Sequence, residues 1–181
     1  GWRHDAAGNA VTWTNRRGQP IVYDFNTNGQ PTRKVYPDGR EIDFFYSSRQ
    51  QLTNITDSIQ GTTTLGYDTR NFLTNITYPN GKGFTFAYDA AGRRASRVGH
   101  DGYALLYGYD ATGRLTTLTN GSNNLLVRYD FDAAGRLARE TKGNGTFTTY
   151  TYDATGQILT LTNAAPDGTT QALSTIASRG R

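Results

Sequence analysis

Two histidines, fifteen carboxylates and no cysteine set the limits of what this chain can catalyse. Without a thiol there is no sulfur nucleophile, no disulfide and no zinc–thiolate site, so metal or acid–base work would fall to His4, His100 and the aspartates. The aspartates that recur are Asp89, Asp110, Asp132 and Asp153, each directly behind an aromatic ring and three residues ahead of a glycine. The four sets are Tyr88, Asp89 and Gly92; Tyr109, Asp110 and Gly113; Phe131, Asp132 and Gly135; Tyr152, Asp153 and Gly156. Calcium needs clustered oxygen ligands, which one carboxylate per motif does not supply, and the same spacing argues against an acid–base pair. A structural role fits better. An aspartate opening a type I turn accepts hydrogen bonds from backbone N–H groups ahead of it, and a glycine at the fourth position takes the left-handed backbone that lets the next strand begin. These residues are therefore expected to form a turn motif, with no catalytic residue, no metal and no cofactor.

Arg93, Arg114 and Arg136 follow the turn glycines directly and are placed to pair with the carboxylate of a neighbouring hairpin, stacking a ladder of Asp and Arg. His4 holds an aromatic position and His100 lies beside Asp101, neither with an evident partner. No GxSxG, HExxH or phosphate-loop spacing occurs.

The elements that carry these residues follow from a repeat. An aromatic or His residue followed by Asp, Asn or Ser begins a copy at His4, Phe25, Tyr46, Tyr67, Tyr88, Tyr109, Phe131 and Tyr152, spaced by 21 residues except for one step of 22. The copies at Tyr46 and Tyr67 lack the glycine. A second mark lies 14 residues after the aromatic at Gly18, Gly39, Gly81, Gly102 and Gly145, with Gly61, Gly121 and Gly168 close to it in the other copies. Twice this mark is written in full, as Tyr36-Pro37-Asp38-Gly39 and Tyr78-Pro79-Asn80-Gly81. Two turns per repeat leave two extended arms rich in Val, Ile, Thr, Tyr and Phe, so each repeat is a β-hairpin. Phe84, Phe86 and Tyr88 alternate with Thr85 and Ala87, as a two-faced strand requires.

The expectation is an all-β array of about eight 21-residue hairpins over residues 1–168, pairing into one continuous curved antiparallel sheet of sixteen strands, then an irregular tail at 169–181 with a weak helical hint at Gln171 to Ser178. A period of 42 would instead suit four-stranded propeller blades. A net charge of +4 spread along 181 residues argues against nucleic acid, and no apolar run approaches the roughly 18 residues of a membrane helix. The absence of methionine, position 1 included, is expected of a chain that has lost its natural start or is an excised piece.

The motif YDATGRLTTLTNG from Tyr109, echoed along the chain from His4 to about Gly168, resembles the YD repeat of the Rhs and YD-repeat family. Members include Rhs-type polymorphic toxins, toxin-complex components and the teneurins. The resemblance implies that the hairpins are a wall segment of a spiral shell, which in bacterial members encloses a C-terminal toxin. It further implies the rest of that shell and its toxin as partners, and a parent protein that is secreted or on the cell surface. The chain carries no recognisable DPxG-type core segment, so neither autoproteolysis nor toxicity is carried to any residue here. The expected function is a non-enzymatic structural module that encloses or presents a toxin or mediates surface contact. The alternative is a carbohydrate-binding or adhesion module using exposed tyrosines. The arms around Ala10 to Asn15 and Ile158 to Asn163 are expected to be open edges through which the chain self-associates.

Overall fold

The computed structural model describes residues 1–175, as two compact units, Gly1–Phe86 and the described residues from Ala87 onward. All regular structure among the described residues is β-strand. In the first unit the strands are β1 (Trp2–His4), β2 (Ala10–Thr14), β3 (Pro20–Phe25), β4 (Pro31–Val35), β5 (Glu41–Tyr46), β6 (Leu52–Asp57), β7 (Gly61–Tyr67), β8 (Leu73–Thr77) and β9 (Gly83–Tyr88), the last ending just inside the second unit. The second unit continues with β10 (Arg94–Gly99), β11 (Ala104–Tyr109), β12 (Leu115–Asn120), β13 (Leu125–Phe131), β14 (Leu137–Lys142), β15 (Phe147–Tyr152), β16 (Ile158–Ala164) and β17 (Thr170–Thr175). Within each unit every strand pairs antiparallel with the next in sequence. Runs of that length exclude four-stranded blades, in keeping with a period of 21 rather than 42.

Register sorts the side chains into two unlike faces. In the first unit Trp13 stands opposite Ile21, Phe44 opposite Ile55, and Ile76 between Leu65 and Phe84. The other face aligns Asn54, Thr64 and Thr77, and pairs Asn75 with Thr85. The second unit repeats the division: Tyr107, Leu118 and Val127 share one face, while Thr149 meets Thr162 and Thr151 meets Thr160 on the other. No layer covers either face among the described residues, so only Ala164 and Asp57 are buried. The hairpin array thus has one apolar and one threonine-rich surface and no dry core.

A bulge recurs where the motif aromatic meets the following strand. Gly108 opposes Thr117 and Tyr109 opposes Leu115, leaving Thr116 extra, and the same skip leaves Thr32, Thr53, Thr74, Ala138 and Leu159. The Thr53 and Thr116 hydroxyls donate to the carbonyls of Phe45 and Gly108, at 3.1 and 3.2 Å.

Several expectations need correction. The two motif copies without glycine keep the same turn, with Gln50 and Asn71 taking its left-handed backbone at φ 65° and 70°. At the β12–β13 turn that place belongs to Asn123, φ 60°, rather than to Gly121. The arms expected as open edges are covered, β2 by β1 and β16 by β17. The strand β17 falls in the segment read as an irregular tail, making seventeen strands rather than sixteen. A ragged sequence is extended there because the unpaired N–H and C=O groups of β16 offer it a ladder, and Thr170, Leu173 and Thr175 suit a strand. Of the helical hint, Gln171 to Thr175 is strand, and the rest lies outside the described residues.

Gly113 shows what the turn demands. Its φ is +88°, a conformation that costs a β-branched residue strain. Gly113→Val is expected to destabilise the chain by about 1–3 kcal/mol in chemical denaturation, whereas Gly156→Ala, with the same backbone but no clash to relieve, should cost less.

Candidate functional site

The eight motif turns differ in sequence and agree in geometry. In each, the fourth residue donates its N–H to the carbonyl of the first, as Gly92 to Asp89 at 3.0 Å and Gly113 to Asp110 at 3.0 Å. The side chain of the first residue then caps the turn from within. The Asp110 carboxylate accepts from the N–H of Thr112 and of Arg114, both at 2.9 Å, and from the Thr112 hydroxyl at 2.7 Å. Asp153 does the same with Thr155 and Gln157. Asn26 and Ser47 do it without charge, accepting from Asn28 and Gln30 and from Arg49 and Gln51. What the position requires is a short acceptor.

The arginines add a second layer. Arg93 donates through Nε to Asp89, Arg114 to Asp110 and Arg136 to Asp132, at 2.7, 2.7 and 2.8 Å. Each therefore pairs with its own turn, not with the neighbouring hairpin's carboxylate as expected. Four residues of separation across a tight turn bring the two groups together before any neighbour can compete. The guanidinium then reaches the next repeat by its face. Arg93 lies 4.6 Å from the Tyr109 ring, Arg114 4.4 Å from Phe131 and Arg136 4.4 Å from Tyr152. Arg93 also donates to the Asp110 carbonyl at 3.4 Å, and a Cβ on Gly135 would sit 3.1 Å from the Arg114 guanidinium. The motif glycine thus gives the turn its backbone and gives the preceding arginine its space.

Contact also runs the other way. The Tyr109 hydroxyl donates to the Arg94 carbonyl at 2.9 Å, Tyr152 to Leu137 at 2.7 Å, Tyr67 to Leu52 at 2.9 Å and Tyr46 to Pro31 at 2.8 Å. Each acceptor opens the strand after the preceding motif turn. Sequence reasoning missed this latch, although the regular placing of tyrosine was its signal. Tyr109 and Tyr152, expected as turn-motif residues, engage both ring face and hydroxyl in neighbouring repeats. In the first unit amides replace the arginines: Asn28 donates to the Gln50 side chain at 2.8 Å, and Gln51 to Asn71 at 3.1 Å. His4 is exposed in β1 and His100 exposed in a turn. Among the described residues no three His, Asp or Glu side chains gather into a metal-binding group.

A sequence profile of the RHS repeat matches residues 4–41, 46–82, 67–99, 88–125 and 131–170, most of the chain. The chain belongs to the RHS repeat family. Solved structures share its fold: a crystal structure of TcdB2-TccC3-Cdc42 at TM-score 0.74 and 15% identity, covering 95% of this chain, and the Photorhabdus luminescens Tc holotoxin pore at TM-score 0.59 and 16% identity, also covering 95%. In both, this chain spans 11% of the solved one. No curated protein matches in sequence.

The RHS latch is testable at Phe131, which lacks the hydroxyl while the Leu115 carbonyl occupies the equivalent place. Phe131→Tyr should stabilise, and Tyr152→Phe destabilise, by about 0.5–1.5 kcal/mol in urea denaturation. Acid should loosen the edge. Backbone N–H donation from Arg93 and Arg136 holds the Asp89 and Asp132 carboxyls below their ordinary value, with the paired guanidinium adding to it, and the Thr112 hydroxyl leads in holding Asp110 well below the carboxylate range. A depressed folded-state value means stabilisation that is complete above the unfolded value near 4 and lost as pH falls below it. The melting temperature should hold from pH 7 to about 5 and drop below about 4, with a smaller drop in Asp89→Asn/Asp132→Asn.

Proposed function

We propose that this chain is a wall segment of an RHS shell that encloses or presents a toxin, within a protein that is secreted or displayed on the cell surface. The observation that carries the reading is the use made of the motif residues. Their acceptors cap turns, and their cations, rings and hydroxyls hold adjacent repeats, so the recurring chemistry is spent on building a sheet. A sheet with one apolar and one threonine-rich surface suits a partition between two environments. The solved structures of like fold include a Tc holotoxin pore, which supports the same reading. On this reading the partners are the rest of the shell and its cargo, and the segment is non-catalytic.

Proteinase K treatment of the full-length protein that contains this segment tests it. A wall leaves a cargo fragment intact in the native protein and exposes it once the shell is opened with denaturant. Cleavage of all non-repeat polypeptide at the same rate in native and denatured protein would overturn the reading.

A further inference from the structure

One register position on the apolar face of the second unit carries a charge that the wall reading does not use. Tyr129 in β13 stands opposite Glu140 in β14, which stands opposite Thr148 in β15. Tyr150 shares that face two residues beyond Thr148 and lies diagonally across from Glu140. Glu140 falls nine residues after its motif aromatic, where the repeats on either side place Leu118 and Leu161 and the first unit places Ile55 and Ile76. The carboxylate is half-buried, and among the described residues it accepts no hydrogen bond and forms no ion pair. Its neighbours are committed elsewhere: Thr148 donates its hydroxyl to Asn163 at 2.7 Å, and Tyr152 donates to the Leu137 carbonyl. Burial raises the Tyr150 phenol above its ordinary value, and the nearby Glu140 charge raises it further.

Another repeat shows what completes such a group. Lys34 also falls nine residues after its motif aromatic, Phe25, and stands opposite a tyrosine, Tyr23. Its ammonium lies 5.6 Å from the Tyr23 ring and 4.3 Å from the Tyr36 ring, and donates to the Tyr36 hydroxyl at 2.7 Å. The same cross-strand pair is thus tyrosine with lysine in one repeat and tyrosine with glutamate in the other. In the first, the chain supplies the cation to its own ring. In the second it supplies a shorter side chain of opposite charge, and among the described residues no cation lies over the Tyr129 ring.

We propose that Glu140, Tyr129 and Tyr150 form a site for a primary alkylammonium group. The head pairs with the Glu140 carboxylate against the Tyr129 ring, where the Lys34 ammonium lies in the earlier repeat, and the Tyr150 hydroxyl accepts one of its N–H groups. The stem lies on the apolar face beside these residues. A free amine and a lysine side chain of another polypeptide both carry this chemistry.

n-Butylammonium and Nα-acetyl-lysine amide represent the two sources and are titrated into the 181-residue chain at constant chloride, with NMR of the tyrosine rings as the readout. At least one should shift the Tyr129 and Tyr150 resonances saturably, with Kd on the order of 10 mM, and the tighter of the two names the source. Glu140→Gln should weaken binding about tenfold, Tyr129→Leu roughly threefold, and Asp130→Asn, on the other face, not at all. Glu140→Lys should abolish binding and lay its own ammonium over Tyr129, with circular dichroism confirming that each variant keeps its strands. Because Lys34 already occupies the equivalent position, this variant carries the comparison should Glu140→Gln fail to fold. No saturation by either amine up to about 100 mM, equal binding in Glu140→Gln, or saturation by n-butyrate in place of the amines would each overturn the proposal.

Discussion

The structure depends on how a hairpin array without an interior holds its repeats together. Apolar area is removed from water only by neighbours in the same sheet, so the hydrophobic contribution that drives most folding is weakened throughout. Backbone ladders supply continuity but little choice of partner. Choice comes from the motif edge, where a guanidinium fixed on its own aspartate lies over the next ring, and a tyrosine hydroxyl reaches back to the previous strand. The ion pairs themselves are partly exposed and contribute little as isolated pairs. Their effect is to immobilise the guanidinium, which then stacks at less entropic cost.

This arrangement accounts for what the sequence made legible. Turn chemistry and strand alternation are local, and both were readable from spacing, including the period that excludes blades. The family resemblance rested on the same eight registered copies. What escaped was set by partners distant in sequence. Nothing in Arg93 itself says whether Asp89 or Asp110 is nearer, and that depends on the tightness of the turn. Gln50 and Asn71 looked like decayed positions because composition records glycine, whereas the constraint is a backbone angle that glutamine and asparagine also reach. The bulge at Thr116 is invisible to a period-two reading, because it appears only when both strands are paired.

The two edges of the sheet have different chemistry for a related reason. At the motif edge the same turn recurs in every repeat, and its groups engage the next repeat through guanidinium and ring in the second unit and through paired amides in the first. At the other edge the turns vary, from Asp57–Gly61 to Tyr78–Gly81, and satisfaction is not enforced. Tyr36 is covered because a lysine happens to precede it by two residues, and Tyr78 is bare because isoleucine does.

The reach of the tyrosine latch sets how such a protein can be made. Tyr109 and its acceptor are 15 residues apart, and Arg93 and the carbonyl it meets are 17 apart. Closing a loop of that size carries the same entropic cost wherever in the polypeptide it occurs, so extending the array does not slow the addition of its next hairpin. A chain emerging from the ribosome can therefore order itself one hairpin at a time against the part already formed, and very long products need no late, global search for their pairing.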